Sequence, residues 1–222
     1  SFNNVGYNYK KSELVLDKIN FEIKSGDKIG IIGKTGSGKT TLINLICGLI
    51  NPTSGKIFLN GRAMSLSRND WQKNIAYVPQ NVYLIDDTIK NNILFGTDKD
   101  KFDINQVNSI LQTVDLLDYV LNLPKKYNEI VGEHGGKISG GQAQRVGIAR
   151  ALFTKSQILI FDEATASLDE ETEKKVLKSI FLTYKEKTII SISHKPKVLK
   201  YCNKIFEIVN GSLKVNENQQ VK

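Results

Sequence analysis

The sequence predicts an α/β fold with a core built on a mainly parallel sheet, joined by an antiparallel β lobe and an α-helical lobe. Three observations predict it. Short apolar runs alternate with helix-period segments from residue 28 onward. The first sixty residues read as strands with little helix between them. Residues 87–150 are mostly helical in pattern. At 222 residues the chain suffices for one substantial domain, and no internal repeat or long linker interrupts it.

In order, FNNVGYNY, LVLDKINFEI and KIFLNG read as strands of the antiparallel lobe, placed mainly within residues 1–75. KIGIIG (28–33) is a short apolar run ending in glycine, as a buried strand is. Behind it KTTLINLICGL carries apolar residues at helical spacing, so residues 34–38 join a strand to a helix. IAYVP (75–79), QILIF (157–161), TIISIS (188–193) and KIFEIV (204–209) continue the buried strands, with helical patterns at about 103–121, 141–154 and 170–184. Such alternation implies right-handed crossovers and a sheet covered on both faces. The helical lobe is expected over about 87–150, with the remainder as the α/β core. The polar end, 214–222, has no apolar face and is expected to fray.

Composition narrows the partners. Hydrophobic residues are 40% and charged residues 24%, both ordinary for a soluble globular protein. The net charge of +8 favours anionic ligands, but lysine is scattered and adjacent pairs such as Lys10–Lys11 are too short to mark a nucleic-acid surface; no nucleic-acid partner is expected. Cys47 and Cys202 sit in apolar segments, outside any CxxC pair, and read as small buried thiols of a reducing compartment. The longest apolar stretch, Leu42 to Ile50, is far shorter than the ~20 residues a membrane-spanning helix needs, so the chain is not expected to cross a bilayer by itself. No signal peptide is expected, and a start at Ser1 without methionine suits a fragment or a processed chain.

The stretch GKTGSGKTT (33–41) carries the chemistry. From Gly33 to Thr40 it fits G-x-x-x-x-G-K-[ST], between a strand and a helix as that motif requires. Glycines at 33, 36 and 38 let the backbone N–H groups of the loop, including Lys34, Thr35 and Ser37, point inward at phosphate oxygens. The helix that follows adds its positive end, Lys39 reaches the β- and γ-phosphates, and the Thr40 hydroxyl ligates Mg²⁺ beside Thr41. In QILIFDEATASLD an apolar strand delivers Asp162 and Glu163 at its carboxyl end, where open α/β sheets bind ligands. Asp162 is the candidate Mg²⁺ carboxylate and Glu163 the candidate general base toward the water beyond the γ-phosphate. Guanine recognition would require Asn-Lys-x-Asp, and Asn203-Lys204-Ile205-Phe206 lacks the Asp, which points to ATP.

KISGGQAQRVGIARAL (137–152) resembles the signature segment of ABC transporter ATPases, with Ile138 in place of the usual leucine and Ser139, Gly140, Gly141 and Gln142 matching in full. Within the P-loop NTPase class this resemblance covers nearly the whole chain in the family's order. It implies a head-to-tail pair of domains, expected as a homodimer, sandwiching two ATPs between the phosphate loop of one and the signature of the other. Tyr9 matches the aromatic that stacks on adenine, with Tyr7 the alternative. Gln80 matches the glutamine that touches Mg²⁺ and the attacking water and links the site to the membrane partner. Ala166-Ser167-Leu168-Asp169 matches the loop that crosses to the other subunit, with Asp169 its acid. His194 matches the histidine that contacts the γ-phosphate, whereas His134 is assigned no chemistry.

VGEHGG before the signature, with Glu133, and YLIDDTIKNNILFG (83–96) resemble exporters in regions that meet a transmembrane domain, fused or separate. The resemblance thus implies an exporter ATPase domain at the cytoplasmic face of a membrane, expected to be a bacterial inner membrane. LIDDTI with VLKYCNKIFEI is similar to bacterial lipid-linked oligosaccharide and glycan flippases, with peptide or drug export the open alternatives. The rivals are an importer ATPase subunit, a soluble ABC ATPase acting on nucleic acid, and a regulatory cassette that binds ATP without cleaving it. VGEHGG argues against the first, the lack of a heptad run in 41–138 against the second, and Lys39, Asp162, Glu163 and His194 together against the third.

Overall fold

The structure, a computed structural model, describes residues 1–9, 14–64, 68–97, 103–193 and 195–217; Lys10–Lys11, His194 and residues 218–222 lie outside the described residues. The fold is mixed α/β, with one antiparallel sheet and one sheet that contains parallel strands. The chain divides into two compact units, Ser1–Ile75 with Glu186–Lys222, and Ala76–Lys185.

In the first unit the antiparallel sheet has the order β2 (Leu14–Phe21), β1 (Phe2–Asn8), β4 (Ser54–Leu59) and β5 (Arg62–Ala63). Phe2 lies opposite Phe21 on one side and Ile57 on the other. The second sheet of this unit runs β10 (Ser212–Glu217), β9 (Lys204–Val209), β3 (Lys28–Ile32) and β8 (Thr188–Ile192), with β3 parallel to β8 and to β9. Strands β3 and β8 read as apolar runs because both faces are covered: Ile29, Ile31, Ile189, Ile190 and Ile192 are buried. A stack of rings joins the sheets, with Phe2 4.3 Å from Phe21 and Phe21 4.8 Å from the fully buried Phe206. Burying one such ring contributes about 2–3 kcal/mol. Helix α1 (Lys39–Ile46) follows β3, and α2 (Arg68–Gln72) closes its far end, where the Trp71 indole donates to the Ile46 carbonyl at 2.7 Å. Just before β3, Asp27 accepts from the Lys24 amide at 2.7 Å and the Lys204 ammonium at 2.8 Å. Burial pushes this carboxyl up, but those two donors outweigh it and hold it below its ordinary value.

The second unit contains β6 (Ile75–Val78) beside β7 (Ile158–Asp162), and helices α3 (Ile89–Ile93), α4 (Ile104–Thr113), α5 (Leu117–Asn122), α6 (Gly140–Phe153) and α7 (Glu170–Thr183). Helix α6 is buried over most of its length, through Val146, Ile148, Ala149, Ala151 and Leu152, and packs against α3 and α4. Arg150 on α6 ties down the segment before and through α3: it donates to the Tyr83 carbonyl and to the carbonyl and side chain of fully buried Asn92.

Two expectations need correction. The helical pattern at 103–121 is two helices, broken where Asp115 takes a left-handed conformation (φ 55°). Arg145 of α6 holds that turn through the Asp115 carbonyl and, at 3.5 Å, its carboxylate. The frayed end does not begin at 214, because Lys214–Glu217 pair with β9 in β10. The turn is Asn210–Gly211, with φ of 47° and 76°, the two-residue left-handed pattern that matches strand twist and closes a tight hairpin. A short helix α8 (Pro196–Leu199) precedes β9.

Both cysteines are free and buried as read, with burial pushing the Cys47 thiol up to about 11 and the Cys202 thiol to about 12. The folded chain at pH 8 should therefore give no reaction with a disulfide-exchange thiol reagent over minutes, and both thiols should react on denaturation. Because unfolded thiols ionise from about 9, the folded state binds more protons above that pH, so stability should fall as pH rises past 9 in a denaturant series.

Candidate nucleotide site

The first unit supplies the phosphate loop. Strand β3 ends at Ile32 and residues 33–38 turn back into α1. Gly38, the cap of α1, has φ 107°, and a Cβ there would lie 2.8 Å from a Leu16 methyl and 3.2 Å from the Val15 carbonyl. Only glycine fits that conformation and that approach. A Cβ on Gly33 would fall 2.7 Å from the Ser37 hydroxyl and from the Ile208 carbonyl, so the inner wall of the loop must stay bare. The Lys39 ammonium donates to the Gly33 and Lys34 carbonyls at 2.6 and 2.9 Å. The Ser37 hydroxyl is buried and has no partner among the described residues. A cation drawn into the loop beside an unsatisfied hydroxyl fits a polyanionic ligand. Lys34, Thr35, Gly36 and Thr40 are exposed, while Thr41 is buried and its hydroxyl lies 3.2 Å from that of Tyr9. Tyr9 thus stands over the start of α1, 58% exposed as a residue, and Tyr7 meets its ring edge-on at 5.0 Å. An exposed ring there is free to take a stacked base; half-buried Tyr7 is engaged in the β1–β2 pairing.

The second unit supplies the carboxylates and the signature. Asp162 is the last residue of β7, and Glu163 turns out of the strand with φ 48°, a conformation that costs a non-glycine residue of order 1 kcal/mol and is found at functional turns. The Gln80 amide donates to Glu163 at 2.8 Å, bringing together two residues the sequence had singled out. The Tyr77 hydroxyl donates to Asp162 Oδ2 at 2.9 Å. Tyr77 was missed, since nothing in one sequence marks a phenol on β6 as facing a carboxylate on β7.

Ser139 caps α6, its hydroxyl accepting from the Gln142 amide at 3.2 Å while the Gln142 side chain accepts from the Ser139 amide at 2.8 Å. This reciprocal cap starts the helix at Gly140, within one residue of the expected pattern from about 141. Ser139 and Gly140 are exposed, and a Cβ on Gly140 would meet nothing, leaving open approach to the helix end. Gly141 is different: a Cβ there would lie 3.1 Å from the Ser167 carbonyl. Asp169 caps α7 by accepting from Thr172 at 3.0 Å, and that backbone contact holds its carboxyl below the ordinary value. Thr165, in the turn leading to Asp169, donates to buried Glu173 at 2.7 Å. A groove of about 370 Å³ in the same unit is lined by Tyr77, Val82, Tyr83, Ile85, Phe95 and Arg150, among others.

With the geometry in view, comparison with known proteins gives the class. A profile of the ABC transporter family matches residues 16–166, and the chain belongs to that family. It is 37% identical over 215 residues to an ATP-dependent lipid A-core flippase of Ralstonia nicotianae, covering 96% of this chain and 36% of that protein. It is 38% identical to the alpha-hemolysin translocation ATP-binding protein HlyB of Escherichia coli O157:H7, covering 95% and 30%. Among solved structures, a bacterial Atm1-family ABC exporter with ATP bound matches with a TM-score of 0.90 at 32% identity, over 97% of this chain and 38% of that one. The chain spans little more than a third of the length of the curated relatives it matches.

The Gly38→Ala substitution should cost about 1–3 kcal/mol through φ strain and the Leu16 contact. It should weaken binding of a fluorescent ATP analogue at least tenfold in titrations done below the variant's own melting temperature.

Proposed function

We propose that this chain is the ATP-binding and ATP-hydrolysing domain of an ABC exporter, and that it works by closing with a second copy of itself around two ATPs. The observation that carries the reading is the bare phosphate loop, with the Lys39 ammonium resting on its carbonyls and the buried Ser37 hydroxyl unpaired among the described residues. Phosphate oxygens would replace those carbonyls on Lys39 and give the loop its missing acceptors. Thr40, Asp162 and Gln80 are the residues that would hold Mg²⁺, which would supply charge neutralisation to the phosphates. Tyr9 takes the adenine face. Glu163 accepts the proton of the water that attacks the γ-phosphorus, and Gln80, donating to one carboxylate oxygen, leaves the other for that proton. ADP departs as the leaving group with Lys39 balancing its charge. His194 belongs to the same proposal as the γ-phosphate contact.

The exposed Ser139–Gly140 helix start, with Gly141 and Gln142, offers a further anion site, directed at the ATP of the other copy. Asp169 faces that copy from the adjacent loop. The relatives support export: one of them, at 38% identity, is a putative export ATP-binding/permease protein of Rickettsia bellii. An exporter also needs a transmembrane domain, fused or separate, as the partner of this chain. The groove whose lining flanks Gln80 is its docking position, since the rings of Tyr77, Tyr83 and Phe95 give it apolar walls suited to a short helix. No described helix is long and apolar enough to cross a membrane. The proposed location is the cytoplasmic face of a bacterial inner membrane, with the cargo chosen by the membrane domain.

Size-exclusion chromatography of Glu163→Gln with and without Mg-ATP tests the reading. Trapped ATP should shift monomer to dimer, and Ser139→Arg should abolish the shift. A Glu163→Gln chain that binds ATP and remains a monomer at every concentration would contradict it.

A further inference from the structure

Gln144 lies within the signature-like segment 137–152 but has no role assigned above, and it touches two other segments that do. It lies on α6 and is 3% exposed. The residues that share its helix face, Gly147, Ile148 and Ala151, are apolar and buried, so a polar side chain here needs partners. It has two. Its amide NH₂ donates to the main-chain carbonyl of Gln80 at 3.3 Å, and its carbonyl accepts the main-chain N–H of Ser167 at 2.9 Å. One step beyond the first contact, the Gln80 side chain holds Glu163 at 2.8 Å. Two residues beyond the second lies Asp169, which caps α7.

The structure assigns Gln144 the role of a positioning residue. Its single amide fixes the Gln80 segment and the Ser167–Asp169 loop to one helix, so that displacement of either is carried to the other. The assignment rests on the ATPase reading above and adds a mechanical joint to it. The side-chain chemistry is specific, because one arm must donate and the other accept. Glutamate at this position presents two acceptors, keeping the Ser167 contact and losing the Gln80 contact; methionine fills the volume and makes neither. The same segment continues through Asn81 and Val82 into the wall of the groove. What fills that groove therefore bears on Gln80, and through Gln144 on the loop that faces the second copy. This is a two-ended contact between named main-chain groups, which a substitution can cut one end at a time.

The test compares the wild-type chain with Gln144→Met and Gln144→Glu in four readouts: melting temperature, ATP-analogue Kd in dilute chain, kcat at saturating Mg-ATP, and the protein concentration at half-maximal turnover. Kd should stay unchanged in both variants. Gln144→Met should lower kcat about tenfold and raise the half-maximal concentration about fivefold, from the loss of both contacts. Gln144→Glu should lower kcat to a similar degree and leave the half-maximal concentration near the wild-type value. A lowered melting temperature with kcat and half-maximal concentration unchanged in Gln144→Met would make Gln144 a core residue only and overturn the assignment. Identical behaviour of the two variants would also overturn it, since the contacts would then have no separate effects. A wild-type chain without turnover would remove the ATPase reading itself, an outcome distinct from an active wild type matched by an active Gln144→Met.

Discussion

A loop can hold phosphate with its backbone only if no side chain stands between the N–H groups and the ligand, and the first unit is built around that condition. Gly33 and Gly38 are fixed by what surrounds them, the Ile208 carbonyl on one side and Leu16 with Val15 on the other. Those neighbours are fixed in turn: β9 lies against β3, and β2 is tied to the β9–β10 turn by the Asp17 amide on the Gly211 carbonyl at 2.8 Å. The Phe2–Phe21–Phe206 stack locks the antiparallel sheet to β9. The antiparallel sheet also places Tyr9 against Thr41 of the helix that the loop begins. Thus the sheets position the walls, and the walls exclude all but glycine.

The second unit answers a different constraint, the need to hold two adjacent carboxylates in fixed directions without neutralising them. Neutral donors do this: the Tyr77 hydroxyl on Asp162 and the Gln80 amide on Glu163. On the proposed reading, a lysine or arginine in either place would form an ion pair and compete with Mg²⁺ or with proton uptake. Cations appear instead where structure needs them, as in Arg145 on the Asp115 turn and Arg150 on the segment through α3. Helix α6 carries both arginines and Gln144, so one buried helix organises the signature, the Gln80 segment and the turn after Glu163.

Much of this was legible in the chain. The period-two and period-3.6 patterns mark the strands and long helices because burial dictates them locally, and the phosphate motif is contiguous, so KIGIIGKTGSGKTT announces strand, loop and helix together. What stayed hidden depends on partners distant in sequence. Tyr77 meets Asp162 across 85 positions, and Gln144 meets Gln80 across 64. A faint signal existed for the second, since a glutamine on the apolar face with Gly147, Ile148 and Ala151 is a buried polar residue in search of partners. The hairpin at Asn210–Gly211 carried the plainest unread signal, an Asn-Gly pair between alternating strands. The break at Asp115 had none, because Arg145, thirty positions on, holds it.

On the proposed reading, one chain owns two anion sites that serve two different ATPs, and this is its central claim. Lys39 with the phosphate loop acts on the chain's own nucleotide, and Ser139–Gln142 act on that of the second copy. The most direct measurement is ATP turnover per chain across a wide range of protein concentration at saturating Mg-ATP. The account predicts turnover that is negligible when dilute, rises in proportion to concentration and then levels off as dimers form. Turnover per chain that is substantial and constant down to the lowest concentration would contradict it, since a single chain would then be sufficient.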